Sequence, residues 1–462
     1  MVTRHKIGVF HLTMIGLTGT IGSGWLFASM YAAKDAGTGS FVAWAIGALL
    51  MLVFCMCLSE LTSLYPKRGM LASVCSFSHN KDFSFIIGLA NWFGTVCVIP
   101  SEALATTRYL NWPHWTVVPL ILAYAVLNSW GAKIFSMFNS PLTVFKFIVP
   151  LITIVVLLTH GVNTSNFHVQ DLTNYNNIMK AVIGGGIIYA FNGIQMIVNY
   201  AGEAKNPARD IPIALFTALG IGLALYIALQ AAFLGAANLH INYQSPFVEL
   251  AVSLNLGWLV MLLKADAAIS PSGTGFMYMG TSSRMLKAMS REGQLPKGFN
   301  VLSPKYQVSH RALVANTVLA LILFAVFKTW QSLVIVVSTF HIISYLAGPL
   351  AVGKLRLTHP KVERVFKVPL YWIVCPVLFV VLSVLFVKAG FRNDLYVSAI
   401  CCGFLALYLV LNYRELELVK ALSRAAFIPI WMIVLTVLSQ FGAHLGEVAV
   451  VGLFLYYVGV GR

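Results

Sequence analysis

Hydrophobic positions run together along this chain in long blocks, without the one-faced or alternating spacing of a soluble domain. Read end to end, they give fourteen apolar segments: 7–34, 38–65, 83–110, 115–132, 141–160, 178–202, 211–237, 248–281, 311–328, 331–353, 369–390, 394–413, 426–442 and 445–461. Each is near or above the ~20 residues a helix needs to cross the hydrocarbon of a bilayer. A helix satisfies its own backbone there, so the pattern predicts an all-α polytopic membrane protein. The polar stretches between segments reach only about thirty residues, too short for a soluble domain of ordinary size.

Two segments break the pattern. "GLTGTIGSGW" (16–25) holds Gly16, Gly19, Gly22 and Gly24, and "AVIGGGIIYAFNG" (181–193) holds Gly184, Gly185, Gly186 and Gly193. A glycine costs a helix interior about 0.8–1 kcal/mol relative to alanine. Glycine-broken segments at matching positions of two halves point to a transporter site. The second lies five segments after the first, which predicts an inverted repeat, about 7–160 and 178–356. The ten-helix core is then 1–356, with 357–462 as additional C-terminal helices. Unwound backbone at membrane depth is tolerated only where it lines a cavity or is buried in protein. Its amides suit a carboxylate and its carbonyls an ammonium, so a site built this way fits the head group of an α-amino acid. Gly16, Gly19 and Gly22 also fit a seam of small residues between packed helices.

Composition sharpens this picture. The chain is 59% apolar and only 10% charged, against about 25% charged in soluble domains. Its +16 net charge is distributed by side. Arg4, Lys6, Lys67, Arg68, Lys81, Lys133, Lys205, Arg209, the run from Arg284 to Arg311, Lys354 to Lys367, and Arg414 to Arg424 fall at alternate segment ends. The other ends hold Lys34, Arg108, Lys180, Lys328, Lys388 and Arg392. This asymmetry predicts a cytoplasmic N-terminus in an inner or plasma membrane, and no nucleic-acid partner. An even helix count predicts a cytoplasmic C-terminus as well. The first segment is too long and too glycine-broken for a cleaved signal. The seven cysteines show no C-x-x-C spacing and read as buried thiols; no metal or cofactor is expected.

Four motifs, in order, resemble the amino acid–polyamine–organocation superfamily of permeases. "TIGSGWLF" (20–27) is similar to its first-helix motif. "SELTSLYPKRG" (59–69) resembles the end of helix two. "YAFNGIQMIVNYAGEAKNPARDIPIAL" (189–215) resembles the sixth-helix motif, and "SSRMLKAMSREGQLPKGF" (282–299) the loop after helix eight. The resemblance implies a LeuT-like fold of five plus five helices with discontinuous first and sixth helices. It implies that Gly22, Ser23 and Gly24 receive the substrate carboxylate. Carbonyls near Thr20, Ile21, Ile188 and Ala190 would receive the ammonium group. Tyr189 and Phe191 would act as aromatic gates, and Gly193 would be the sixth-helix break. Gln195 stands, neutral, where some members carry an acid.

Ionisable side chains at membrane depth are functional candidates by default. Lys146, seven residues after Asn139, resembles the fifth-helix lysine that replaces a sodium ion in proton-coupled relatives; a fixed structural cation is the alternative. Glu102, beside Pro100, suits a proton carrier, a substrate reader, or a salt bridge to Arg108 or Lys146. Asp266 and Lys264 lie in a segment expected to break at Pro271 and Gly273; Asp266 is a coupling candidate. Glu60 and Glu203 suit gate ion pairs at cytoplasmic helix ends, and His341 a hydrogen-bonded core position. The expectation is a secondary amino acid transporter using alternating access, with proton symport ahead of amino acid exchange. A channel or an amino acid sensor ranks behind both, and scattered polar groups argue against an enzyme.

Overall fold

The structure, a computed structural model, describes residues 6–66, 70, 74–130, 132–412 and 425–461, with side chains for all of these except 74, 132–144 and 412. Arg4, Lys67, Arg68, Gly69, Arg414, Lys420 and Arg424, and the side chains of Lys133 and Asn139, lie outside the described residues. Every one of the fourteen apolar segments contains helix, and large apolar side chains such as Val126, Leu151, Val155, Met261 and Val314 face outward. An apolar exterior over helices is what lipid solvation selects.

By length and hydropathy, six runs among the described residues suffice to cross a membrane, or eight if each of two bent helix pairs is joined. That is fewer than fourteen. Several segments resolve into shorter helices, of which His310–Val326 and Leu445–Val460 are examples.

The first segment is two helices, α1 (Val9–Thr20) and α2 (Gly24–Ala36), separated at Ile21, whose φ −88° and ψ 86° are not helical. Helix α3 (Ser40–Leu64) follows, then α4 (Lys81–Tyr109), α5 (Val117–Ser129) and α6 (Ala132–Thr159). The second glycine-broken segment forms α7 (Tyr175–Ile183), the one-turn α8 (Ile187–Phe191) and a 3₁₀ stretch, Ile194–Glu203, with a 46° bend after α7. Gly186 and Gly193 make these breaks with φ of +81° and +116°, values that side-chain-bearing residues disfavour.

Helix α9 (Pro207–Ala236) and α10 (Pro246–Ser253) lead to α11 (Gly257–Arg291). The break expected at Pro271 and Gly273 is absent: α11 runs through both residues for 35 residues. A proline removes only one ladder bond, and α11 lies packed along α4. The segment breaks earlier, between α10 and α11, where Asn255 has φ +56°.

Helices α12 (His310–Val326), α13 (Trp330–Tyr345), α14 (Ala347–Thr358), α15 (Tyr371–Lys388), α16 (Phe391–Asn412), α17 (Phe427–Gln440) and α18 (Leu445–Val460) complete the bundle. An apolar 18-residue stretch of α4 and one of the α13–α14 run are 94% buried, whereas one of α16 is only 28% buried. The two broken segments cross at the centre. A Cβ on Gly193 would stand 2.3 Å from the carbonyl carbon of Gly19, and one on Gly24 would stand 3.1 Å from Cα of Ala190. Near the start of α1 they are also joined by backbone. Ile7 N–H donates to Glu203 O at 2.8 Å, and Lys205 N–H donates to Ile7 O at 2.9 Å.

Candidate functional site

Because α1 stops at Thr20, the Ser23 amide at the start of α2 has no carbonyl one turn behind it in a continuous helix. It donates instead to Oε2 of Glu102 at 2.8 Å. The other carboxylate oxygen, Oε1, accepts from the Tyr189 hydroxyl at 2.6 Å. Tyr189 OH also lies 3.0 Å from Ser23 Oγ and 2.8 Å from Ser101 Oγ. The indole N–H of Trp330 closes the group by donating to Ser23 Oγ at 2.9 Å. Ser23, Ser101 and Glu102 are at most 1% exposed. Gly22 is small so that Glu102 can approach: a Cβ there would stand 2.6 Å from Oε1. Backbone amide, phenol and helix N-terminus thus form one carboxylate-binding cradle.

On the other side of the crossing, the freed carbonyls gather around Tyr226 of α9. Its hydroxyl lies 2.9 Å from Thr20 O and 3.1 Å from Ala190 O. Ile21 O lies 3.4 Å from Thr274 Oγ1. Thr20 turns its own hydroxyl back onto Gly16 O at 2.7 Å, a common way to satisfy a hydroxyl within a buried helix.

Lys146 of α6 is fully buried. Its ammonium donates to Thr274 Oγ1 at 2.7 Å and to Thr18 O at 3.3 Å, tying α6 to α1 and α11. One turn along α11, Ser270 donates to Asp266 Oδ1 at 2.5 Å, and Trp25 Nε1 donates to Oδ2 at 3.2 Å. Asp266, Ser270 and Thr274, spaced by four, share one face of α11. Asp266, Lys146 and Glu102 therefore form a buried polar line beside the crossing.

The sequence profile of the amino acid permease family matches residues 7–409. The chain belongs to the amino acid permease family. Its membership of the amino acid–polyamine–organocation superfamily follows. Over 99% of its length it is 34% identical to the glutamate/serine transporter AimA of Bacillus subtilis, covering 90% of that protein. It is 27% identical to the aspartate-proton symporter of the same organism, across 96% of this chain and 92% of the relative. A gamma-aminobutyric acid permease, also from Bacillus subtilis, is 24% identical over 90% of the chain and 95% of its own.

Within this permease, Tyr189 lies in the cradle, but the Phe191 ring lies elsewhere, edge-on to Trp44 and Tyr226 at 5.7 Å each. Trp330 stands beside Tyr189 at 5.6 Å and stacks on Tyr31 at 5.5 Å. Gln195 turns onto its own break, accepting from Gly193 N–H at 3.1 Å and donating to Asn192 Oδ1. Ile188 is buried in α8. Lys264 is half-buried away from these contacts.

A cavity of about 660 Å³ lies over the far side of Trp330, lined in part by Tyr31, Arg108, His114, Lys328 and Gln331. Arg108 packs over the Phe27 ring at 5.2 Å and donates to Tyr31 OH and Tyr243 O at 3.3 Å each. Among the described residues no carboxylate pairs with it. Toward the opposite end, Glu60 holds Arg356 at 2.8 Å and Arg364 at 3.1 Å and accepts from Val368 N–H at 2.7 Å. The ion pair expected at Glu60 is present. His341 donates through Nδ1 to Val337 O at 2.8 Å, as a core histidine would.

Trp330, Tyr226, Ser101 and Thr274 were not legible as site residues. Trp330 sits just outside its apolar segment and reads as one of the tryptophans common at membrane interfaces. The others are ordinary members of apolar runs.

Proposed function

We propose that this permease moves amino acids by alternating access, with a proton as the coupling ion. The observation that carries the reading is the crossing of two broken helices. It sets a carboxylate-binding amide at Ser23 beside carbonyls of Thr20, Ile21 and Ala190. A zwitterionic head group needs both kinds of partner. The crossing also supports an inverted repeat of 7–160 and 178–356, with the helices beyond 357 outside it. A cytoplasmic N-terminus is supported by the clustering of Lys and Arg at alternate segment ends.

Proton coupling is favoured over sodium because Lys146 already supplies a cation to the Thr18 carbonyl and the Thr274 hydroxyl, groups that would otherwise suit a small cation. Glu102 and Asp266 are the carboxylates beside it. As substrates we infer small polar and acidic amino acids, with glutamate, aspartate and serine first. The relatives named for these support this, as does Arg108, a cation lining the outer cavity with no carboxylate partner among the described residues. Amino acid exchange is the second reading, favoured if Lys146 is purely structural.

The test is uptake of labelled amino acids into proteoliposomes under a proton gradient, a sodium gradient, or internal preloading. Accumulation driven by the proton gradient alone is expected; uptake seen only after preloading would make the protein an exchanger. In the same assay Lys146→Ala is expected to reduce proton-driven accumulation about tenfold or more while changing exchange less, since it removes a charge-assisted bond worth roughly 1.5–3 kcal/mol. Equal loss of both activities would return Lys146 to a structural role.

A further inference from the structure

Glu102 occupies the very groups that the substrate carboxylate needs. Its Oε2 takes the Ser23 amide at 2.8 Å, and its Oε1 takes the Tyr189 hydroxyl at 2.6 Å. The same Oε1 sits where a Gly22 side chain would begin. The cradle at the start of α2 is filled by a carboxylate of the chain itself, fully buried and reaching across from α4.

We propose that Glu102 is an internal stand-in for the substrate carboxylate, and that the two exchange places at the Ser23 amide with one proton taken up by Glu102. The proposal rests on the transporter reading and specifies how its proton is coupled. Two carboxylates crowded into one buried site cannot both stay ionised. An arriving amino acid must therefore neutralise Glu102 before it can take the amide. The proton comes from water and goes onto a Glu102 carboxylate oxygen, and it leaves when substrate departs and Glu102 returns to Ser23.

Among the described residues, the titratable groups that interact electrostatically with Glu102 are Tyr189 of α8, Tyr124 of α5, Tyr226 of α9, Tyr278 of α11 and Lys146 of α6. The phenols are neutral at physiological pH, since a tyrosine ordinarily titrates near 10. Lys146 faces both Glu102 and Asp266. When Glu102 is neutralised, Lys146 keeps Asp266 as its counter-charge, so the cation is not stranded. This arrangement selects Glu102 over Asp266 as the group that changes charge. Asp266 is held by Ser270 and Trp25, neither of which the substrate reading uses.

The experiment is calorimetric titration of the purified protein with L-serine and L-glutamate, in buffers of different ionisation enthalpy and across a pH series. The unmodified protein is expected to take up about one proton per amino acid bound, with affinity falling about tenfold per pH unit where Glu102 is ionised. Glu102→Gln is expected to bind with no proton uptake and a flat pH profile. Proton uptake that persists in Glu102→Gln would overturn the proposal and leave proton symport standing. Binding without any proton uptake would overturn it too. A readout that needs no variant is the infrared difference spectrum on adding L-serine, where a protonated carboxyl band should appear; its absence counts against the exchange. Failure of the unmodified protein to bind any amino acid would remove the transporter reading, and this proposal with it.

Discussion

Gly193→Ala is expected to lower stability by about 2–6 kcal/mol and to abolish amino acid uptake, combining backbone strain with overpacking. The new Cβ would stand 2.3 Å from the Gly19 carbonyl carbon and 2.7 Å from the Thr20 nitrogen. Both are backbone atoms, so no side chain can rotate away. The residue also has φ +116°, where a side chain is strained whatever space surrounds it. Relief requires the two broken helices to separate, which opens the crossing that sets the cradle against the carbonyls. Gly220→Ala is the matched control, because a Cβ there meets nothing within 4 Å. Melting of the detergent-solubilised protein, followed by proteoliposome uptake, checks both. A Gly193→Ala protein that melts and transports like the control would show that the helices do not need this contact.

Ser23→Leu is expected to cut uptake at least about a hundredfold, through roughly 3 kcal/mol or more of lost hydrogen bonding and overpacking. Ser23 is fully buried. Its hydroxyl accepts from Trp330 and lies 3.0 Å from Tyr189 OH. A leucine would strand the indole N–H and push against both rings while leaving the backbone free to insert. The variant should therefore still reach the membrane and elute as folded protein on size exclusion. Ser23→Ala, which keeps the space and loses only the hydroxyl, should lose about tenfold. Near-normal uptake by Ser23→Leu would remove the first broken helix from the substrate site.

Some of this was legible in short windows of sequence and some was not. The breaks at 21–23 and at 193 were, because each segment gathers four glycines, and a glycine in a helix interior is costly. Lys146 and Glu102 stood out because charge at membrane depth is costly. Their partners did not. Glu102 was open to Arg108, one helical turn and a half along α4, yet Arg108 turns to Tyr31 and Tyr243. Phe191, two residues from Tyr189, carries its ring to Trp44 instead of the cradle. Pro271 and Gly273 looked like a third break and are not one, since packing against α4 holds the helix through them.

The sequence by itself determined the class of the molecule: apolar runs long enough to cross lipid, glycine-broken segments, charges sorted by side, and motifs that place the chain among amino acid permeases. Each of these is a local property, written within about thirty residues. Tertiary structure decided which groups meet. Ser23 finds Glu102 79 residues away and Trp330 307 residues away, and Lys146 finds Thr18 and Thr274 at 128 residues in either direction. A helix that is apolar on all sides carries no stripe to tell which face turns inward. Its rotation is set only when neighbouring helices pack and the few buried polar atoms must find one another.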